Sequence, residues 1–166
     1  MYKVEASGKK WSANAAFCGW QGRRWNEMFI GEYFHTADPK GRVIFPAKIR
    51  EELGERFYIT KGLDNCLAVY KEEEWAKIQE KILTLPNAKS RNLKRFLFSS
   101  AAEVRADKQS RVLIPQNLRE YAGLERDIVI IGASSNVEIW DKERWESVCT
   151  ELTPDMIAEA MDELDF

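Results

Sequence analysis

The chain has 166 residues, 45% of them apolar, and a formal net charge of −2. That length suits one compact domain or two small fused ones, and the composition excludes a disordered chain. No apolar run approaches the roughly 18 residues of a membrane span, and the three cysteines, Cys18, Cys66 and Cys149, have neither metal-ligand spacing nor the even count of a disulfide framework, which points to a reducing cytoplasm.

Residues 1–27 carry Trp11, Trp20 and Trp25 and five basic residues against Glu5 and Glu27. They share no pattern with the rest of the chain. They read as an N-terminal leader, disordered or extraneous, or more sharply as a tail that grips DNA phosphate. Organised patterning begins at Met28, where 28–36 is apolar and aromatic enough for a strand.

Asp38-Pro39-Lys40-Gly41 is a turn signature, and 42–45 a β-branched strand. Pro46 suits a first helical position, opening a short helix over 47–53 that stops at Gly54. Strands follow at 57–60 and 67–70 around a loop at 62–65. Trp75, Ile78, Ile82 and Leu85 recur at helical spacing. Pro86 breaks that helix, and a second one, basic through Lys89, Arg91, Lys94 and Arg95, covers 89–98. Its charge could touch DNA, but solvation or pairing with acidic groups is the stronger reading.

The chain then repeats itself. Asp38, Arg42, Val43, Pro46, Arg50, Glu51 and Gly54 recur 69 positions on as Asp107, Arg111, Val112, Pro115, Arg119, Glu120 and Gly123. After a slip of one residue near Leu124, Glu55, Arg56, Gly62, Tyr70 and Trp75 recur as Glu125, Arg126, Gly132, Trp140 and Trp145. The repeat predicts strands at 102–106, 111–114, 127–131 and 137–140, with helices over 116–122 and 141–149. A duplicated unit implies pseudo-twofold symmetry. Each module alone can close only a small core, so it must pair with its sister or with another chain. The divisions are a first module at 28–84, a linker helix at 85–99, a second module at 100–150, and an acidic C-terminal helix and tail at 151–166. Thr153-Pro154-Asp155 reads as an N-cap, a first-turn proline and a favourable acid.

The chemistry lies in the repeated turns. An aspartate four residues before an arginine can accept turn amides and orient the guanidinium, which then loses less entropy on engaging a partner. A guanidinium fork holds phosphate or reads guanine in the major groove. The candidate DNA-binding residues are Arg42, Lys40, Arg111 and Lys108, with Asp38 and Asp107 orienting the turns. Arg50 and Arg119 on the short helices are candidate phosphate contacts, or pair intramolecularly. The second turn replaces Lys40-Gly41 with Gln109-Ser110, so the first is the preferred DNA-facing turn. The competing reading is a structural or protein-interaction module whose arginines are locked in intramolecular salt bridges. Catalysis has little support: His35 is the lone histidine, no nucleophile pairs with a base, and no metal or cofactor is implied.

The opening MFIGEYFHTADPKGRVIFPAKIRE, the second DKQSRVLIPQNLREYAG and the order of elements closely resemble the MraZ family across residues 28–162. The resemblance implies a mainly β fold with helices, built from tandem duplicated AbrB-like swapped-hairpin modules. It further implies a nucleoid-associated transcriptional regulator, a repressor in most members, that binds short direct repeats of double-stranded DNA upstream of its own division and cell-wall operon. Subunits of the family assemble into rings of about eight or more. The family's binding arginines fall on Arg42 and Arg111, its neighbouring lysine on Lys40 and its aspartates on Asp38 and Asp107. The family begins at the position of Met28, so residues 1–27 depart from it.

Overall fold

The computed structural model describes residues 28–164, and the reading of residues 1–27 as a leader or DNA-gripping tail lies outside them. Two similar halves follow in chain order. The first holds β1 (Glu32–Thr36), β2 (Arg42–Ile44), α1 (Ala47–Leu53), β3 (Phe57–Lys61) and β4 (Leu67–Lys71), then the helices α2 (Glu72–Leu83) and α3 (Asn87–Leu93). The second holds β5 (Ala102–Val104), β6 (Arg111–Leu113), α4 (Gln116–Ala122), β7 (Asp127–Ala133), β8 (Asn136–Asp141), α5 (Lys142–Glu151) and α6 (Pro154–Asp162).

The halves interleave. One antiparallel sheet runs β1-β7-β8-β4-β3-β5, and a separate ribbon pairs β2 with β6. The first strand of each half lies against the third strand of the other, β1 on β7 and β5 on β3. Sequence left open whether a module pairs with its sister or with another chain, and the sister is the partner here. The symmetry can be read from the register. Val43 faces Val112 across the ribbon, and Ala68 faces Glu138 across the β4–β8 pair. Both are pairs of repeat-equivalent positions, so a pseudo-twofold axis passes through them.

Burial explains why neither half stands alone. The main core takes Val43, Phe45, Ile49, Leu53, Phe57 and Ile59 from the first half and Val112, Ile114, Leu118, Ala122, Ile128 and Ile130 from the second. Each short helix contributes residues four apart, Ile49 with Leu53 and Leu118 with Ala122, which one helical face presents together. Seven residues make a helix too short to persist alone; packing over the sheet holds it.

Three local expectations change. Pro46 and Pro115 sit at the N-cap, with ψ of 136° and 146°, not inside the first turn; their fixed φ sets the entry angle one residue earlier. The expected 28–36 strand is interrupted at Gly31, whose φ of +102° turns the chain, leaving Phe29 to bridge Ser134 separately. The helix expected over 89–98 becomes α3 followed by a π turn at Lys94–Phe98. That wider turn carries Phe98 edge-on to Trp75 at 5.5 Å and Phe96 to Tyr121 at 6.1 Å. On α2, Trp75 and Ile82 are buried as the spacing requires, while Leu85 lies beyond the helix end and is exposed. Thr153 caps α6 by accepting from the Met156 amide at 3.3 Å.

Because both halves share one core, urea should unfold residues 28–164 in a single transition followed alike by fluorescence and circular dichroism. Leu118→Ala should lower its free energy by about 2–5 kcal/mol, with no intermediate in which the first half survives.

Candidate nucleic-acid interface

Each hairpin turn is built around one aspartate. In the first, the Asp38 carbonyl accepts from Gly41 N at 2.8 Å. Its carboxylate Oδ1 accepts the amides of Lys40 and Arg42, both at 2.9 Å, and Oδ2 accepts Arg42 Nε at 2.6 Å. The second turn reproduces the scheme. Asp107 Oδ1 takes the amides of Gln109 and Arg111 at 2.8 and 2.9 Å, and Oδ2 takes Arg111 Nε at 2.8 Å. A side chain one methylene longer would place its carboxylate past these amides.

The amide of Arg42 and then its side chain hold the Asp38 carboxyl below its ordinary range. The same two contacts from Arg111 bring Asp107 down to about 2. Both groups are therefore ionised wherever the protein is folded near neutrality.

The ribbon orients the arginines. Side chains alternate along a strand, and directly opposed residues share a face. Val43 and Val112 point into the core and are fully buried. Arg42, Ile44, Arg111 and Leu113 therefore lie together on the outer face, with Arg42 opposite Leu113 and Ile44 opposite Arg111. The two arginines are about 30% exposed, while Ile44 and Leu113 are 52% and 55% exposed. Arg42 is anchored through Nε, its inner nitrogen, whereas Arg111 engages Asp107 through both Nε and the terminal Nη2. Lys40 and Lys108 are exposed on their turns. Ile44 and Leu113 were not singled out in the sequence, although the alternation Arg-Val-Ile and Arg-Val-Leu carried the signal.

Arg50 and Arg119 are half-buried, and Arg50 bonds across to the opposite half while Arg119 bonds within its own. Arg50 donates through Nη1 to the Ser110 hydroxyl, and Arg119 donates through Nε to the Ile114 carbonyl at 3.1 Å. Neither is ion-paired with a glutamate among the described residues. Arg119 lies so close under the first turn that a Cβ on Gly41 would stand 2.3 Å from its Nε. Gly41 also has a φ of +80°, and its counterpart Ser110, at +62°, takes the left-handed conformation with a side chain attached.

The surroundings of the turns differ. The cleft beside the first is lined by Arg42, Arg111, Arg119 and Arg126 with only Asp38 and Glu125 opposing them. The cleft beside the second has Arg50 and Arg105 against Glu51, Glu55 and Asp107. Arg126 is a further basic group that the sequence did not single out; its repeat partner Arg56 pairs with Glu72 instead. His35 and Cys66 join no such group. His35 lies in β1 with its pKa lowered by burial, and burial pushes the Cys66 thiol up to about 12. Among the described residues, no three His, Cys, Asp or Glu side chains are placed to hold a metal, and no helix is long and apolar enough to cross a membrane.

Interleaved halves, a shared sheet and a ribbon of two acid-anchored arginine turns define a duplicated swapped-hairpin protein. Similarity to known proteins narrows this. The family described as "MraZ protein, putative antitoxin-like" matches twice, at residues 28–96 and 97–165. A "Transcriptional regulator MraZ" of Acetivibrio thermocellus is 56% identical over 138 residues, covering 81% of this chain and 96% of that protein. Proteins of the same name from Clostridium beijerinckii and Moorella thermoacetica are 55% and 51% identical, covering 82% and 84% of this chain and 99% of each relative. The chain belongs to the MraZ family.

Folding lowers the Asp107 pKa, so its stabilising effect is complete above the unfolded value of about pH 4 and is lost as pH falls through about 2. A carboxyl NMR titration should place the Asp107 midpoint near 2, and Asp107→Asn should remove that part of the acid destabilisation. Gly41→Ala should cost more in a denaturant melt than the about 1–2 kcal/mol usual for a left-handed L-residue, because its Cβ would also displace Arg119, whereas Ser110→Gly, which frees the left-handed backbone but removes the acceptor of Arg50, should cost less.

Proposed function

We propose that this protein is a sequence-specific, DNA-binding transcriptional regulator, a repressor of its own division and cell-wall operon. It binds short direct repeats upstream of that operon as a ring of subunits. The observation that carries the reading is the shared outer face of the ribbon, where Arg42 and Arg111 stand on neighbouring strands with their inner nitrogens already engaged. A guanidinium so fixed has little rotamer freedom left to lose when it meets a base or a phosphate.

A two-stranded ribbon fits the major groove. On this reading Arg42 and Arg111 reach guanine edges, while the exposed Ile44 and Leu113 between them suit thymine methyl groups. Lys40 and Lys108 meet phosphate and set the register. Arg50 and Arg119 reach backbone phosphate with the N–H groups their internal bonds leave over. Four arginines beside the first turn against two beside the second support the first as the stronger contact. Relatives that carry the name transcriptional regulator support the same function.

A second reading takes the Asp38–Arg42 and Asp107–Arg111 pairs as purely structural and the ribbon as a protein-binding face. It is favoured by the direct carboxylate bond to each arginine, and it predicts no loss of DNA binding when either is removed.

Gel shifts with the chain's own upstream region decide between them. At matched salt, Arg42→Ala should weaken specific binding by about 10–100-fold, the value of one good base contact, with little change in stability. Arg111→Ala should weaken it less. Lys40→Ala should reduce the slope of log affinity against log salt by about one unit. Unchanged affinity in Arg42→Ala would overturn the proposal.

A further inference from the structure

The two turns repeat each other, but the charges beside them do not. Arg56 and Arg126 are repeat partners, each immediately ahead of the third strand of its half. Arg56 is spent on Glu72, the first residue of α2. The repeat partner of Glu72 is Lys142, the first residue of α5. That exchange of acid for base denies Arg126 the equivalent pair, and Lys142 pairs instead with Glu146 of its own helix at 3.8 Å. Among the described residues, Arg126 has no ion pair. This holds although one cleft that it lines carries Glu125, Asp127, Asp141, Glu143 and Glu146.

The backbone around Arg126 is tied to the first turn. Leu124 N donates to the Arg119 carbonyl at 2.9 Å, and Ala37 N, one residue before Asp38, donates to the Arg126 carbonyl at 2.7 Å. Thr36 faces Asp127 in the β1–β7 register. Arg126 is thereby held, exposed, on the cleft that Arg42, Arg111 and Arg119 also line. Asp38, one of the two acids of that cleft, is already bound to Arg42. Arg126 stands off the ribbon, at the start of a strand of the large sheet. With the ribbon in the major groove, side chains of its outer face meet base edges, and a cation beside it meets the sugar–phosphate wall. A guanidinium holds a phosphate through two parallel N–H groups.

We propose that Arg126 grips a backbone phosphate of bound DNA beside the first turn, and that Arg56 makes no such contact beside the second because Glu72 holds it. Arg126 fixes position without reading sequence, and Lys142 keeps it available by standing where an acid would capture it. The inference rests on the DNA-binding reading and adds to it a contact made on one side only.

Fluorescence anisotropy over a series of salt concentrations tests it, on the full chain with two duplexes: its own upstream region and the same bases in shuffled order. Far-ultraviolet circular dichroism confirms that each variant is folded. Arg126→Ala should weaken binding to both duplexes alike and lower the slope of log affinity against log salt by about one unit. Arg126→Lys should keep the parent's slope, because a lysine still meets phosphate as a point charge. Lys142→Glu should rebuild at Arg126 the pair that Arg56 makes with Glu72 and lower the slope too, whereas Arg56→Ala should match the parent. If Arg126→Ala keeps the parent's affinity and slope while Arg42→Ala loses the upstream duplex, Arg126 is idle and this inference falls while the DNA-binding reading stands. If Arg126→Ala weakens the upstream duplex alone, Arg126 reads a base and the phosphate assignment falls. If Arg56→Ala lowers the slope as much as Arg126→Ala, the contact is not one-sided and the proposal fails. If the parent binds neither duplex, the DNA-binding reading falls and takes this inference with it.

Discussion

The pairing of β2 with β6 is the contact on which the rest depends. It is three residues long on each side, far too short to survive as an isolated hairpin. Its inner face is two valines buried beneath the short helices, and its outer face carries both arginines. Forming it requires strands from both halves, so the core is completed and the outer face assembled by the same event. The larger sheet holds the two strands at the correct separation: β1 lies on β7, β5 on β3, and the turns leave directly from the ends of β1 and β5.

Within that frame the aspartate turns resolve a conflict. On the proposed reading each arginine must stay accessible to its partner, but a free one would lose considerable rotamer entropy on binding. Asp38 and Asp107 tie down the backbone with one oxygen and the inner guanidinium nitrogen with the other. The strand direction and the side-chain direction are then set together. The arginine helices add support from beneath, since Arg50 bonds to Ser110 and Arg119 packs under Gly41, each of the opposite half.

Much of this was legible in the chain. Both short helices run where proline and glycine bracket them, Ala47–Leu53 and Gln116–Ala122, because those residues act through local backbone geometry. The Asp-to-Arg spacing was legible for the same reason: four residues close a turn whatever surrounds it. The register symmetry follows from the repeat, but only once the halves are known to pair with each other, and periodicity does not say which strand finds which. The swapped arrangement came from likeness to a family. The crossing of Arg119 beneath Gly41 was not legible at all. It joins positions 78 apart by number, and no local pattern marks a glycine that is small for the sake of a distant guanidinium. The same holds for Arg126, whose place beside Arg42 depends on the β1–β7 pairing. The π turn escaped because the widening that seats Phe96 and Phe98 answers to Tyr121 and Trp75, which lie far along the chain.

On the proposed DNA-binding reading, glycine at one tip and serine at the other has an effect on how the ribbon meets a duplex. Perfect twofold symmetry would make the ribbon identical when rotated end for end, and such an object suits a palindrome. Here one tip is bare and rests over a buttressing arginine, while the other offers a hydroxyl that consumes its buttress. The ribbon thereby acquires a head and a tail. A DNA reader with a head and a tail can tell the two directions of a strand apart.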